Sequence, residues 1–329
     1  MQYRRLGKSG LKLSGFGYGS WVTFGRSIDL RAAMESMSVA YDAGVNFFDN
    51  AEGYAWGQSE LIMGEALHRL RWHRDSYCVS SKVMFGSAFT PGPLQQGLSR
   101  KHVMEACDQA LRRLGVDYLD LYFCHRPDPE TPVEETVRAM HTLVQSGKVL
   151  YWGTSEWPAE RIEEAFALAE RHHLTPPTME QPEYNLFARR RVEQEYAPLY
   201  ERYGLGTTVW SPLCSGVLTG KYNDGLPDGS RATLDGYQWL ARNILSDKGQ
   251  ARVKVTGQLA GLAQELGLSV THLALAWTRL NPNASTTILG ASSPQQLRDN
   301  LGAVDAVDKL TEDVVARIET ILHATPGLE

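Results

Sequence analysis

The chain has 329 residues, of which 43% are hydrophobic and 22% are charged, a balance typical of globular proteins and without a signature of disorder. Its net charge of −5 and isoelectric point near 6.0 argue against a general electrostatic affinity for nucleic acid or for anionic membranes. No stretch approaches the roughly 18 uninterrupted apolar residues of a membrane helix, so direct membrane insertion is not expected.

Residues 1–7 are charged but no apolar run follows them, so we expect no signal peptide. The four cysteines lie far apart in the sequence and form no Cys-x-x-Cys pair, which favours reduced thiols in a cytoplasmic protein. The histidines include no His-Glu-x-x-His motif, and we expect no metal site.

The amino-terminal part of the chain, residues 1–14, predicts a short β-hairpin with its turn at residues 7–10. The glycine-rich stretch that follows, residues 15–20, has the wrong glycine spacing for a dinucleotide fingerprint, and no helix opens from it. We therefore expect a short strand with a ligand pressed near its end, and no Rossmann unit.

From there, strand and helix patterns alternate. The predicted strands are residues 16–20, 45–49, 77–82, 118–125, 149–155, 178–181, 207–211 and 286–289. The helical patterns between them include residues 30–41, 59–70, 103–114, 158–171 and 192–203, and a further helix that begins near residue 132. At that last helix, Thr131 and Glu134 predict a capping box with Pro132 at the first helical position.

Eight successive strand–helix units predict an α/β fold, a single (β/α)8 barrel of the TIM type. No linker-like break divides the chain, so we predict one domain over residues 1–329. Residues 84–98 and 214–250 are longer than ordinary connections and follow the carboxyl ends of strands, where barrel active sites lie. We interpret them as lids or binding loops; surface insertions are the alternative.

Polar residues recur where the predicted strands end. They are Asp49 with nearby Tyr54, Lys82, His125, Ser155, Gln181, Trp210 with Ser211, and the turn from Gly290 to Ser292. A lysine ammonium lowers the pKa of a neighbouring tyrosine, a carboxylate holds that ammonium charged, and a histidine can orient a carbonyl. Each residue alone has a structural interpretation, but together they predict a proton-transfer site. None of them supplies electrons, so redox chemistry would need a bound cofactor.

Asp49, Tyr54, Lys82 and His125 match the catalytic tetrad of the aldo-keto reductase superfamily, which the whole chain resembles. Within that superfamily it is similar to the potassium-channel β-subunit branch. The stretches that carry this similarity are residues 19–25, 97–102, 126–129, 134–140, 151–155, 210–213, 236–240 and 289–292.

The resemblance implies NADPH-dependent reduction of aldehydes, ketones or methylglyoxal-like compounds, with hydride from nicotinamide C4 and a proton from Tyr54. It places cofactor contacts at Ser20, Trp21, Asp49, Ser155, Glu156, Gln181, Trp210, Ser211, Pro212, Leu213, Ser215, Gly216, Lys221, Arg231, Gly290, Ser292, Gln296, Asp299 and Asn300. In this comparison Ser155 and Gln181 hold the carboxamide, and Trp210 stacks on the nicotinamide. By the same resemblance, the pyrophosphate-side loop is matched by Ser211, Leu213, Ser215 and Gly216. Within the cofactor-covering loop 214–250, Lys221 and Arg231 match basic residues near the phosphates. The adenosine end is matched by Ser292, Gln296, Asp299 and Asn300.

Two alternative functions and two departures from the family pattern stay open at this point. The resemblance also allows an NADP(H)-binding regulatory subunit of a potassium channel with slow turnover, and it suggests a tetramer. His125 stands where the mammalian channel subunits carry asparagine, which favours catalysis. Glu156 departs from the family pattern, and its carboxylate could accept from the carboxamide. A Schiff-base role for Lys82 is a third possibility, although Asp49 would raise the lysine pKa, which is unfavourable for a nucleophilic amine.

Overall fold

The computed structural model describes residues 1–25, 28–234 and 236–328. Eight parallel strands form a closed barrel. They are β3 (Phe16–Gly19), β4 (Phe47–Asp49), β5 (Cys78–Val83), β6 (Leu119–Cys124), β7 (Val149–Ser155), β8 (Met179–Gln181), β9 (Gly206–Val209) and β10 (Ala284–Leu289). Around the barrel they follow the order β10-β3-β4-β5-β6-β7-β8-β9. The predicted barrel fold is confirmed.

The strands are buried on both faces, and their sequences are rich in apolar and small hydroxyl residues. Every residue of β4, β5, β6 and β10 is buried. A parallel strand with side chains facing the barrel interior on one side and helices on the other has few charged residues. Polar residues placed near the ends of such strands, such as Asp49 and Lys82, are therefore conspicuous.

A two-stranded antiparallel sheet, β1 (Tyr3–Arg5) and β2 (Lys12–Ser14), confirms the predicted hairpin. Its Leu6 and Leu13 pack in one core cluster with interior barrel residues such as Phe47 at the start of β4. The Asn46 side chain accepts from the Ser14 backbone N–H at 2.8 Å. The hairpin thus closes the amino-terminal end of the barrel and leaves the carboxyl end for a site.

The helices are α1 (Leu30–Asp42), α2 (Gln58–Leu70), α3 (Arg100–Leu114), α4 (Val133–Gln145), α5 (Ala159–Arg171), α6 (Ala197–Tyr203), α7 (Gln238–Leu245), α8 (Asp247–Glu265), α9 (Val270–Thr278), α10 (Pro294–Leu301) and α11 (Glu312–His323). The predicted helix 192–203 is divided, because a π-helical turn, Arg191–Glu195, precedes α6.

Both glycines of β3 are packed against neighbouring strands: a Cβ on Gly19 would lie 2.6 Å from Ile288 Cγ2.

The predicted capping box at α4 is wrong. Pro132 is the N-cap and makes no side-chain capping bond. The Thr131 hydroxyl donates instead to Asp128 Oδ2 at 2.7 Å. Asp128 Oδ2 also accepts from the backbone N–H of Leu98 at 2.7 Å, so this carboxylate organises the turn before the helix.

The two predicted long loops differ in their secondary structure. Residues 84–98 carry neither helix nor strand between β5 and α3. Residues 214–250 contain two 3₁₀ segments, Cys214–Thr219 and Arg231–Thr233, then α7 and the start of α8. Asp235, within this second segment, lies outside the described residues.

The chain separates into two compact units by its internal contacts. The first comprises Met1–Pro182, Glu195–Trp210 and Asn283–Arg298; the second comprises Glu183–Gln194, Ser211–Pro282 and Asp299–Glu329. All barrel strands belong to the first unit. The prediction of one domain over residues 1–329 stays a prediction.

Within the residues described, no helix by itself has the length and hydropathy needed to cross a membrane. The consecutive helices α8 and α9 meet both criteria only when taken together, and they are bent by 93° at the break between them.

Candidate active site

The carboxyl ends of the barrel strands in the first unit bring together residues that are far apart in the sequence. Asp49 ends β4, Lys82 lies next to the last residue of β5, and His125 follows β6. Ser155 ends β7, and Gln181 ends β8. In a closed parallel barrel these ends form one rim, and their convergence is what the sequence predicted.

Lys82 is at the centre of this group. Its side chain has 0% exposure, and its ammonium contacts Asp49 Oδ2 at 2.6 Å. It also donates to the Asn50 backbone oxygen at 2.8 Å and to the Tyr54 hydroxyl oxygen at 3.1 Å. An ammonium has three N–H donors, and all three have acceptors here.

The Asp49 carboxylate is held by three groups. Oδ1 accepts from the Ser80 hydroxyl at 2.8 Å and from the Gln181 amide at 3.1 Å, while Oδ2 accepts from Lys82. The Ser20 hydroxyl donates to the Asp49 backbone oxygen at 3.0 Å. These contacts fix the carboxylate in place, so the direction of the Lys82 ammonium is fixed as well.

Tyr54 opens a 3₁₀ turn that folds back over the end of β4. The residues after it have left-handed backbone angles, with φ of 47° at Ala55 and 53° at Trp56. Such angles are costly for residues with a side chain and persist only where the surroundings enforce them. The Asn50 side chain anchors the turn, because its amide donates to the Ser59 backbone oxygen at 3.1 Å.

His125 completes the group. Its ring lies edge to face with the Tyr54 ring at 5.7 Å and with the Phe85 ring at 5.1 Å. The side chain is buried, and Nδ1 has no hydrogen-bond partner. Burial holds its pKa well below the usual range, and the charges of Lys82 and Arg126 lower it further, so the imidazole is neutral.

The pKa values of the other two groups are governed by burial and differ from the sequence-based expectation. Loss of water raises the pKa of the Tyr54 phenol well above its ordinary value, Asp49 raises it further, and Arg126 opposes both. Burial also lowers the pKa of Lys82, although Asp49 opposes this shift. The expected directions, downward for Tyr54 and upward for Lys82, are therefore reversed in this structure, because burial outweighs the neighbouring charges.

The predicted carboxamide contacts have other partners in this structure. The Gln181 amide donates to Asp49 and, at 3.2 Å, to the Thr208 hydroxyl, which leaves its carbonyl oxygen for a ligand N–H. The Ser155 hydroxyl donates to the Gln181 backbone oxygen at 2.9 Å. Glu156 accepts from the Trp210 indole N–H at 2.9 Å, so it positions that ring.

The other predicted cofactor residues of the first unit lie at or after strand ends. Trp21 is exposed, and its ring lies edge to face with Trp210 at 5.8 Å. After β10, a Cβ on Gly290 would meet no atom within 4 Å, so the backbone there is open to approach. The Gln296 side-chain oxygen accepts from the Ser292 backbone N–H at 2.7 Å and its hydroxyl at 3.1 Å.

In the second unit, the loop after Trp210 has an unusual backbone and lies beside a cation. Ser211, Cys214, Ser215 and Gly216 have φ angles of 55°, 47°, 53° and 96°. The N–H groups of Cys214, Ser215 and Gly216 donate to acceptors within the loop, so the positive charge at this site comes from neighbouring side chains. A Cβ on Gly216 would lie 2.9 Å from Lys221 Nζ, so the ammonium is directly beside this loop.

The remaining predicted residues of the second unit are placed as follows. Burial lowers the pKa of Lys221, and the charge of Arg231 lowers it further, so the two cations are neighbours. Leu213 accepts through its backbone oxygen from Gly216, and Pro212 is buried. The Asp299 backbone oxygen lies 2.6 Å from His272 Nε2, and Asn300 is buried. The loop and its two cations fit a phosphate-bearing cofactor.

Sequence reasoning missed Ser80, Thr208 and Arg126. The two hydroxyl residues are hidden in strands, and the sequence offers no signal that they contact Asp49 and Gln181. Arg126 directly follows the residue predicted at the end of β6, so its place in the sequence could have suggested it. Among the described residues, no group of three or more metal-ligating side chains comes together.

A profile of the aldo/keto reductase family matches residues 15–323, which is most of the chain. The chain belongs to the aldo/keto reductase family. Three proteins named as probable or putative potassium channel subunits are similar to it over nearly their full length. A probable voltage-gated potassium channel subunit beta of Arabidopsis thaliana is 49% identical over 99% of this chain and 98% of its own length. Two further proteins with similar names match this chain to a comparable extent.

The second is a probable voltage-gated potassium channel subunit beta of Oryza sativa, 50% identical over 99% of this chain and 98% of its own length. The third is a putative subunit of the same kind from Schizosaccharomyces pombe, 46% identical over 98% of this chain and 94% of its own length. The predicted family and its channel-subunit-like branch are both confirmed. An aldo/keto reductase fold accounts for the converging strand ends described above.

Proposed function

We propose that this aldo/keto reductase reduces small carbonyl compounds with NADPH, and that Tyr54 delivers the proton. The observation that carries the proposal is the buried Lys82 ammonium, whose three donors go to Asp49, Asn50 and the Tyr54 oxygen. Because Lys82 donates to the phenol oxygen, the phenol hydrogen remains available to a substrate oxygen. The positive charge beside it favours the phenolate that forms when this proton leaves.

Each residue of the group has a separate role in this proposal. Asp49 holds the Lys82 ammonium in place. The neutral His125, edge to face with Tyr54, orients the substrate carbonyl by hydrogen bonding. A Schiff-base role for Lys82 is disfavoured, since a nucleophilic amine needs a free lone pair and this ammonium is fully engaged as a donor.

The cofactor assignment rests on donor chemistry. When bound, NADPH supplies the hydride that no side chain can provide. In the first unit, Ser155 and the free carbonyl oxygen of Gln181 suit its carboxamide, and Trp210 suits its ring. In the second unit, the loop at residues 211–216 with Lys221 and Arg231 suits phosphate groups. Ser292, Gln296, Asp299 and Asn300 are proposed for the adenosine end.

The test is Tyr54→Phe, followed by NADPH oxidation with a panel of aldehydes. We expect turnover to fall about 100- to 10,000-fold while NADPH affinity changes little, because the hydroxyl acts on the proton and not on the dinucleotide. Tyr122→Phe is the matched control, since it removes another buried hydroxyl, one without a hydrogen-bond partner. Wild-type turnover in Tyr54→Phe would contradict the assignment of the proton donor.

A second candidate function is an NADP(H)-binding regulatory subunit of a potassium channel with slow turnover. The three relatives above are named as channel subunits, so the comparisons support this candidate better than the first. The presence of the full Asp49, Tyr54, Lys82 and His125 group favours catalysis. Reduction near background by the wild type, with NADPH still bound and a membrane protein co-purifying, would favour the regulatory role.

A further inference from the structure

Arg126 lies inside the candidate active site but has no part in the proton transfer described above. It directly follows His125 and is half-buried. Its Nη1 donates to the His125 backbone oxygen at 2.5 Å and to the Ser155 hydroxyl at 3.3 Å. Its guanidinium carbon lies 6.0 Å from the centre of the Trp210 ring. These contacts hold the guanidinium between three residues of the site.

Both of these hydrogen bonds come from the same nitrogen. An arginine has five N–H donors, and the edge formed by Nε and Nη2 matches the two oxygens of a carboxylate. In the described part of the chain, no carboxylate lies within ion-pair distance of this guanidinium, and no acceptor contacts its Nε–Nη2 edge. The edge is therefore available to a ligand.

The charge of Arg126 acts on the reacting groups. Burial is the largest cause of the pKa shifts of Tyr54, Lys82 and His125, and the Arg126 charge lowers the pKa of all three. Asp49 is engaged with Lys82, and His125 is neutral. Asp49, Lys82, His125 and Arg126 together therefore carry a net positive charge. A neutral aldehyde would leave this charge uncompensated.

We propose that Arg126 binds a carboxylate carried by the carbonyl substrate, so that the preferred substrates are oxo acids. This inference rests on the proposed carbonyl reduction. A planar carboxylate matches the fork of donors on the guanidinium, and the bound anion compensates its charge. Arg126 is thus a specificity-determining residue, while the proton and the hydride come from other groups.

The experiment compares carbonyl acids with their methyl esters. Three pairs place the carboxylate at increasing distance from the carbonyl: glyoxylate, 4-oxobutanoate and 4-carboxybenzaldehyde, each with its ester. For at least one pair, wild-type kcat/KM for the acid is expected to exceed that for the ester about 10- to 100-fold, the range of a charge-assisted hydrogen bond. Arg126→Met should abolish this preference, chiefly by raising KM for the acid, while NADPH affinity stays within about twofold.

Methionine retains the length of the arginine stem, so packing is changed little. Arg138→Met is the control for net charge, because Arg138 is an exposed residue of α4 paired with Glu134. Arg126→Lys, which keeps the charge but loses the fork, should retain part of the preference. Equal wild-type activity on acid and ester, or equal losses on both in Arg126→Met, would overturn the proposal. Weakened NADPH binding in Arg126→Met would overturn it too, by assigning the guanidinium to the cofactor.

Failure of the proposed carbonyl reduction would give a different result from failure of the proposed carboxylate site. If no acid and no ester were reduced, titration of the NADP⁺-loaded protein with 4-(hydroxymethyl)benzoate, the alcohol product of the third acid, would still test Arg126. Arg126-dependent binding would support the carboxylate site while removing the proposed function. Ester reduction without such binding would remove the site and leave the function intact.

Discussion

Lys82 carries a charge at a position where its side chain has no exposed surface. Removing a charged group from water costs several kcal/mol. A close counter-ion compensates this cost only when the geometry is good and further hydrogen bonds are made. Lys82 meets that condition through Asp49, Asn50 and Tyr54, and Asp49 meets it through Ser80 and Gln181. The arrangement fixes the direction of each donor before any substrate arrives.

The buried, neutral His125 predicts a specific pH dependence of stability. Its folded pKa lies well below the ordinary value of 6.5 because of burial, so below that pH the unfolded chain binds a proton that the folded chain does not. Stability therefore falls as pH drops through 6.5. Between pH 7.5 and pH 5.5 this one histidine should therefore lower the free energy of unfolding by on the order of 1 kcal/mol.

His125→Asn should remove this contribution, so its loss of stability between pH 7.5 and pH 5.5 should be smaller than that of the wild type by the same amount. Urea unfolding of the cofactor-free protein at both pH values measures the difference. His68→Asn, at an exposed position of α2, is the control. Identical pH slopes for wild type and His125→Asn would show that His125 is protonated equally in both states.

At the level of single residues, the sequence predicted which side chains converge but not their partners. Asp49, Lys82 and His125 were recognisable because each charged or polar residue stands near the end of an apolar run. The role of Glu156 was not recognisable, because its contact with Trp210 joins residues 54 positions apart in the sequence. Glu156 also has a left-handed φ of 60°, which the sequence does not reveal. The pKa of Tyr54 was also misjudged, since burial cannot be measured in a sequence.

Between β5 and α3, residues 84–98 form a loop that Glu52 ties to the end of β4. Glu52 is buried, and its Oε1 accepts from the backbone N–H groups of Met84 at 2.8 Å and Gly86 at 2.9 Å. Its other oxygen lies 3.5 Å from His102 Nε2. Phe85, between the two anchored residues, packs against His125. The anchor thus holds one wall of the candidate site.

Glu52→Ala should release this loop. It leaves one buried and one partly buried N–H group without acceptors, each costing up to about 1–3 kcal/mol, so local opening becomes easier. Hydrogen exchange at Met84 and Gly86 should accelerate about 10- to 100-fold relative to the strands of the barrel. Glu52→Gln keeps a carbonyl acceptor and is the matched control, with exchange near that of the wild type. Uniform acceleration across the barrel would indicate global destabilisation and would count against a local anchor.

The elements themselves were largely predictable. Alternating strand and helix patterns identified all eight barrel strands, because parallel strands buried on both faces are short stretches rich in apolar and β-branched residues. The capping box at α4 failed since Thr131 bonds to Asp128, a competition that spacing alone does not reveal. The division of helix 192–203 by a π-helical turn likewise has no counterpart in hydrophobic periodicity.

At the scale of the whole molecule, closure of the barrel is what creates the candidate site. Asp49 and Gln181 are 132 positions apart in the sequence and hydrogen-bond at 3.1 Å. No local pattern encodes such a contact; it follows from eight parallel strands whose carboxyl ends meet at one rim. The family match over residues 15–323 extends this architecture to most of the chain.

Cofactor binding should be visible in the stability of the whole protein. A ligand that binds only the folded state stabilises it by mass action, by about 2.7 kcal/mol at a hundred times its Kd. We expect NADPH to stabilise the wild type more than NADH at equal concentration, because Lys221 and Arg231 suit the additional phosphate. Urea unfolding with each nucleotide measures the two increments.

The double variant Lys221→Met/Arg231→Met should lose most of the NADPH increment that exceeds the NADH increment. Arg231 is partly buried and Lys221 is more exposed beside it. Each has its pKa lowered chiefly by loss of water, so an anion that compensates their charge binds favourably. Lys254→Met/Arg242→Met, at exposed positions of α8 and α7, removes the same charge elsewhere and should leave both increments unchanged. Equal NADPH increments in the two double variants would rule out a phosphate role for Lys221 and Arg231, whether or not the protein reduces carbonyls.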